Sequence, residues 1–437
     1  MTRLLALVFC GLATACTFDI RPEGDARSED EAPAGPTVSV DAELFYPERI
    51  ALPGDSRVLV SVDAVDANGR RSLTRFSTRL DGRQVPIPLR FTFESRAGSR
   101  VIHELNAAVV AGDELLRLTR PVIVEPRDGA ARLGRIRLQP PLEAGFGQAW
   151  ECASERVFLG TIGSDAFMAV DEALHTLEAV PAASGARYRS KQDSSLALHE
   201  KSGELLLLRG EDDVVGCRRV EALEPPLSGG GNEPGWHVEI DEASIELVSD
   251  YGQTVTQATL IGADSSGAAT HFRGAGENGP VLASFSPRIC RDSATGMPHP
   301  HEVEVQFEDG TLRGCGGDPL DLLVGHDWRV TQLGDEAAPE SGRDGEEIEI
   351  SMRFDDEGRV GGRAACNSYS AEFELGGEGL SIGRAAATKM ACPEPRMALE
   401  ARFFELLSKV RRFDIGNDGE LILITPAGRI TAVPGRS

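Results

Sequence analysis

Along most of the chain, apolar residues recur at every second position rather than every third or fourth. Val58-Leu59-Val60-Ser61-Val62, the run from Val101 to Val110, and Ile348, Ile350, Met352 and Phe354 are of this kind. Side chains on a strand point alternately to its two faces, so this spacing predicts half-buried strands. Asp66-Ala67-Asn68-Gly69 and Asp81-Gly82 supply turn residues between such runs. Glu233-Pro234-Gly235-Trp236-His237-Val238-Glu239-Ile240 opens a further stretch of alternation, continued by Ile245-Glu246-Leu247-Val248 and by Val303, Val305 and Phe307. A helical period appears after Pro393, where Leu399, Phe403, Leu406, Leu407 and Val410 form one apolar stripe. Pro395 suits the first turn of that helix, and Lys409, Arg411 and Arg412 are placed at its end, where the helix dipole favours cations. The pattern predicts a mainly β protein of several small β-sandwich or β-barrel domains in tandem, with one notable helix near the C terminus.

The first residues break this pattern. Arg3 precedes an apolar run from Leu4 to Leu12, and small residues then lead to Cys16. That is the layout of a secretory signal, and the run is too short to span a bilayer. Leu12-Ala13-Thr14-Ala15-Cys16 resembles the lipobox of bacterial lipoproteins, which implies a signal peptide over 1–15 and lipidation of Cys16. Thr17, rather than aspartate, follows the cysteine; by resemblance to Gram-negative lipoproteins this implies sorting to the outer membrane, facing the periplasm. Arg21 to Pro36 is rich in Glu, Asp, Pro and Ala and almost free of large apolar residues, so 16–36 is expected to be a flexible tether. Ser228-Gly229-Gly230-Gly231-Asn232 is expected to be a second linker.

The 437 residues suffice for roughly three or four domains. A net charge of -24 argues against a nucleic-acid partner and would favour a basic protein. Setting aside Cys10 in the signal and Cys16 leaves Cys152, Cys217, Cys290, Cys315, Cys366 and Cys392. Six cysteines permit fifteen pairings. Sequential pairing would give each of three consecutive segments its own bridge, in keeping with an oxidising compartment. None shows the close spacing of a zinc or redox site.

Four segments resemble known families. Tyr46-Pro47-Glu48-Arg49-Ile50-Ala51-Leu52-Pro53 and Gln84-Val85-Pro86-Ile87-Pro88-Leu89 look like the YbaY/YscW family of small β-sandwich lipoproteins, which includes type III secretion pilotins, and assign it residues 37–140. Between Cys152 and Cys217, Ala183-Ser184-Gly185-Ala186-Arg187-Tyr188 resembles the signature of membrane-bound inhibitors of c-type lysozyme (MliC), small β-barrels, and assigns it 148–222. In that family a serine of the signature loop and a downstream lysine engage the carboxylates of the lysozyme cleft. Ser184 and Lys201 match those roles, with Arg187 in the same loop, although His199-Glu200-Lys201-Ser202 stands where the family has Trp-x-Lys-Gly and Ala182 replaces a serine. Cys290 to Met297 and Leu312 to Gly317 resemble an uncharacterised lipoprotein domain, here 232–320. Residues 321–435 resemble the META/HslJ domain through Leu323 to Val330, Gly362 to Tyr369 and Thr388 to Pro393, with the helix following; Ala365 stands where that family usually has glycine.

No nucleophile, base and orienting acid come together in the sequence, so the protein is read as non-enzymatic, without cofactor or metal. Gly54-Asp55-Ser56 lacks the downstream Asp-x-x-His of an esterase, and Met297, His299 and His301 are interleaved with prolines and lack a further ligand. The leading expectation is an envelope lipoprotein whose tethered domains bind partners, including a c-type lysozyme. The alternatives are a pilotin or assembly chaperone acting through the first domain, and an envelope-stress scaffold.

Overall fold

The computed structural model describes residues 34–435 apart from 97, 99, 154, 163–164, 172, 183, 202–203, 211–212, 267–268, 309, 340–347 and 378. The signal 1–15, the lipidation site Cys16 and most of the tether lie outside the described residues. Strands make up 63% of the structure and helices 6%, so the mainly β expectation holds, with barrel-like sheets in tandem. The chain divides into two compact units, Met1–Leu223 with Gln257–Ala283 and Gln306–Gly310, and Glu224–Thr256 with Ser284–Val305 and Thr311–Ser437.

In the first unit, β1 (Ala34–Phe45), β2 (Arg57–Asp66), β3 (Gly69–Arg79), β4 (Ile87–Arg96), β5 (Ile102–Ala111), β6 (Glu114–Leu118), β7 (Val122–Ile123) and β8 (Ala130–Arg137) build a sandwich. One sheet is ordered β4-β1-β8 and the other β3-β2-β5-β6, with β7 also on β5. Alternate residues of β1 and β2, among them Val38, Val40, Leu44, Val58, Val60 and Val62, share one core. β1 starts within the stretch assigned to the tether. Ser95 Oγ donates to Pro36 O at 2.8 Å, and a Cβ at Gly35 would lie 2.6 Å from that hydroxyl, so the small residues there let the strand run on. β5 is buried along nearly its whole length on both faces, which alternation alone does not predict. Gly54-Asp55-Ser56 is the approach to β2, with Ser56 fully buried.

A one-turn helix, α1 (Pro141–Ala144), closed by Gly145 at φ 81°, leads into eight antiparallel strands: β9 (Gln148–Cys152), β10 (Glu155–Ile162), β11 (Asp165–Val170), β12 (Ala173–Val180), β13 (Ala186–Ser190), β14 (Leu196–Lys201), β15 (Glu204–Arg209) and β16 (Asp213–Arg219). They close into a barrel when β16 pairs with β9. Cys152 and Cys217 face one another in that register and are bridged, so the disulfide ties the first strand to the last. The other bridges are Cys290–Cys315 and Cys366–Cys392, the sequential pattern.

The glycine run read as a linker is a strand, β17 (Leu227–Asn232), followed by β18 (Gly235–Ile240), β19 (Ser244–Ser249), β20 (Thr254–Ser266), β21 (Ala269–Gly276), β22 (Gly279–Ser286), β23 (Cys290–Arg291), β24 (Pro298–His299), β25 (His301–Phe307) and β26 (Gly310–Gly316). β17 to β22 with β25 and β26 form a second closed barrel. The domain therefore begins near Leu227, ahead of the expected 232. The glycines are there for close approach: a Cβ on Gly231 would meet Trp236 Nε1 at 2.4 Å, and one on Gly314 would meet Gly230 O at 2.0 Å. β23 pairs with β24, and Met297 between them is buried with the core of the C-terminal domain.

That domain is a ten-stranded sheet spanning Asp327 to Pro434 with α2 (Glu394–Leu407) against it. Phe403, Leu406 and Leu407 are buried as the stripe requires, and the Phe403 ring packs edge-on to Tyr369 with centroids 5.4 Å apart. The helix stops at Leu407, and no basic residue lies in its last turn. Lys409 instead pairs with Glu405, and Arg412 opens the next strand, so the expected cation cap is absent. Ala365 adopts φ 71°, which explains the family's preference for glycine there. Among the described residues no helix is long and apolar enough to cross a membrane.

Candidate functional site

The first unit holds a cleft of about 490 Å³. The sandwich contributes β2, β5 and β6, the second wall comes from the α1 turn and β10, and β20 and β21 complete the floor. Part of the lining is apolar: Leu59, Ala108, Leu118, Phe146 and Ile162 belong to one cluster, beside the polar Ser61, Asn106, Thr119, Gln148 and Thr161. Glycine builds that wall. A Cβ on Gly160 would press on the Phe146 ring at 2.8 Å, and one on Gly147, at φ 71°, would strike Leu159 O at 2.6 Å.

The floor is ionic. Glu104 on β5 is wholly buried and takes hydrogen bonds from two guanidiniums. Arg273 of β21, itself 1% exposed, donates to it through Nε and, at 3.3 Å, through Nη2, while Arg70 of β3 donates at 2.7 Å. Arg273 Nη1 also pairs with Asp264 at 2.8 Å, and Arg70 with Asp63 at 3.2 Å. Burial alone would raise the Glu104 carboxyl, but the charges of Arg273 and Arg70 outweigh it and hold it down at about 2. The same carboxylates push both arginines above their ordinary range. Burial pushes His271, on β21, down to about 4, so it is neutral at physiological pH. His103, also lowered by burial, accepts a hydrogen bond from Arg96 N through Nε2 at 3.2 Å.

Two further arginines stand at the cleft. Arg75 is exposed and has no hydrogen-bond or ion-pair partner among the described residues, and Arg219 donates only to the Gln148 side chain, at 2.9 Å. The sequence reading missed all of these groups. The available signal was a charged residue inside an apolar strand, Glu104 in Ile102-His103-Glu104-Leu105 and Arg273 in Thr270-His271-Phe272-Arg273. Their partnership across 169 positions had none.

The residues the sequence did single out lie at the rim of the barrel β9 to β16. Ser184, Arg187 and Lys201 are exposed, and Tyr188 is buried beneath them. Ala186 pairs with Glu200, which puts Gly185 over Lys201: a Cβ there would meet Glu200 O at 2.0 Å and Lys201 Cα at 3.2 Å. His199 Nε2 lies 2.8 Å from Ser184 O. The turn is thus fixed to β14 through the Ser184 carbonyl and the Gly185 backbone. The six cysteines are joined in three bridges, and His299 Nδ1 is 3.0 Å from Gly317 O.

An array of small β domains, three of them carrying one disulfide each, is the class of protein this fold defines. Two of its domains are identified by family profiles. The META domain matches residues 321–435, and the type III secretion system lipoprotein chaperone (YscW) matches residues 35–126. The chain therefore carries a YscW-like domain and a C-terminal META domain. Neither match covers 148–222 or 232–320, whose resemblances rest on their motifs. No curated protein matches the chain. Two solved structures are similar in part. An alternative pilotin from the type II secretion system of Vibrio cholerae is 19% identical, with 24% of this chain and 97% of that one covered and a TM-score of 0.22. A protein from Burkholderia xenovorans is 21% identical, with 27% and 86% covered and a TM-score of 0.23.

Proposed function

We propose that this is a lipid-anchored chaperone of the outer membrane, a pilotin-like lipoprotein that acts through its N-terminal sandwich on a component of an envelope secretion machine. The observation that carries this reading is the YscW match over 35–126, which takes in β1 to β7. Cys16 supplies the anchor and no catalytic step is involved. Removing 37–140 while keeping the leader is expected to lower the membrane-assembled form of the client severalfold, measured by fractionation and immunoblot. Removing 321–435 should leave it unchanged, and the opposite pattern would end this reading.

A second reading, inhibition of a c-type lysozyme, is favoured by one feature, the exposed Ser184 turn fixed to the strand that ends in the exposed Lys201. The chain's acidity would speed encounter with a basic enzyme and do so less as salt rises. Gly185→Ala is the economical probe, because φ 72° and the Glu200 carbonyl both forbid the methyl. It is expected to cost about 1–2 kcal/mol of stability and to displace Ser184. Muramidase assays should then show inhibition by the parent and, because Ser184 is displaced, roughly tenfold less by the folded variant. Unaltered lysozyme activity at micromolar parent protein would dispose of this reading.

A further inference from the structure

The cleft in the first unit has a chemistry that neither proposed role uses. It combines an aliphatic and aromatic patch with polar side chains, its volume is about 490 Å³, and four arginines line it against two aspartates. Counting the Glu104 carboxylate beneath the floor leaves one positive charge over, in a chain whose net charge is -24. The excess sits where a ligand could reach it. Arg70 and Arg273 are committed to Glu104, Asp63 and Asp264, whereas Arg75 has no partner among the described residues and Arg219 has only an amide oxygen. A guanidinium next to apolar surface forms its strongest hydrogen bonds with an anion.

Size indicates the class of occupant. At about 490 Å³ the cleft lies within the roughly 300–1,000 Å³ range of small-molecule sites, in which apolar surface is joined by a few polar groups that fix orientation. We propose that the cleft binds a small anionic amphiphile, one aliphatic chain bearing a carboxylate, with the tail against Leu59, Leu118, Phe146 and Ile162 and the carboxylate held by Arg75 and Arg219.

Both rim arginines can be replaced without opening the core, Arg75 being exposed and Arg219 half-buried. The test uses the whole chain carrying Cys16→Ser, exported to the periplasm and purified without detergent, with decanoate, decanol and decylammonium titrated by calorimetry. Saturable one-to-one binding of decanoate is expected, with decanol about tenfold weaker and decylammonium weaker again. Arg75→Gln with Arg219→Gln should bring decanoate down to the level of decanol while leaving the unfolding midpoint unchanged. Absence of saturable decanoate binding at 1 mM (roughly the weakest affinity of interest), equal affinity for decanol, or undiminished binding by the double variant would each overturn the proposal. So would a peptide that occupies the cleft and is not displaced by decanoate. None of these results bears on the client of the sandwich domain, which the deletion experiment reads separately.

Discussion

Glu104→Ala is expected to destabilise the first unit by about 3–5 kcal/mol, because it strips the buried Arg273 guanidinium of its main counter-charge and leaves Asp264 as its one ion-pair partner among the described residues. Denaturant unfolding of the chain from residue 34 onward measures this. The midpoint should fall while the slope against denaturant stays constant, and a midpoint within error of the parent would show that the network contributes nothing. Glu104→Gln should recover only part of the loss, since an amide retains one acceptor without the charge. The same group sets an acid limit. A carboxyl at about 2 in the folded state and near 4.5 when unfolded binds fewer protons folded than unfolded, so its contribution is intact above pH 4.5 and is lost as pH falls towards 2. His271 acts earlier. Held neutral down to about 4 against an ordinary 6.5, it favours the unfolded chain as soon as pH drops below 6.5. Stability of the parent should therefore decline in two overlapping steps between pH 6.5 and 2. Glu104→Ala should lack the lower one.

These effects also mark how far the sequence could be read. Period-two alternation located β2 because one of its faces meets a core and the other faces away. β5 is buried on both faces, so its pattern gave a strand without saying what covers it, and the Glu104 that joins it to β21 read as an ordinary polar position. The Gly229 to Gly231 run misled for a related reason. Glycine favours linkers by its entropy in an open chain, but here it is selected by backbone approaching closer than a Cβ allows, and only the folded register shows that. The Ser184 turn was legible because its geometry is local: a left-handed Gly185 and a two-strand register hold it against β14. The cleft arose from walls supplied by segments far apart in the chain, and no short pattern encodes it.

The C-terminal domain shows what ordered motifs do encode when they belong to one knot of hydrogen bonds, and Glu400→Ala tests it. Glu400 on α2 is 7% exposed. Its two oxygens accept from Asn367 N at 2.7 Å and Asn367 Nδ2 at 2.9 Å, while Asn367 Oδ1 accepts from Thr388 Oγ1 at 2.8 Å and Met390 N at 2.7 Å. The segment Gly362 to Tyr369, the segment Thr388 to Pro393 and the helix after it thus meet at one asparagine, next to the Cys366–Cys392 bridge. Removing the carboxylate leaves two buried donors of Asn367 without a partner, a loss of about 3 kcal/mol from hydrogen bonds to a charged group. Glu400→Gln retains one acceptor and the volume, and should cost about 1 kcal/mol. Hydrogen exchange gives the sharper readout, because the Asn367 amide should lose its protection in Glu400→Ala while amides of the strand Leu421–Thr425, remote from the knot, keep theirs. If the bridge and the apolar stripe of α2 alone hold the helix in place, the Asn367 amide will exchange as slowly in the variant as in the parent.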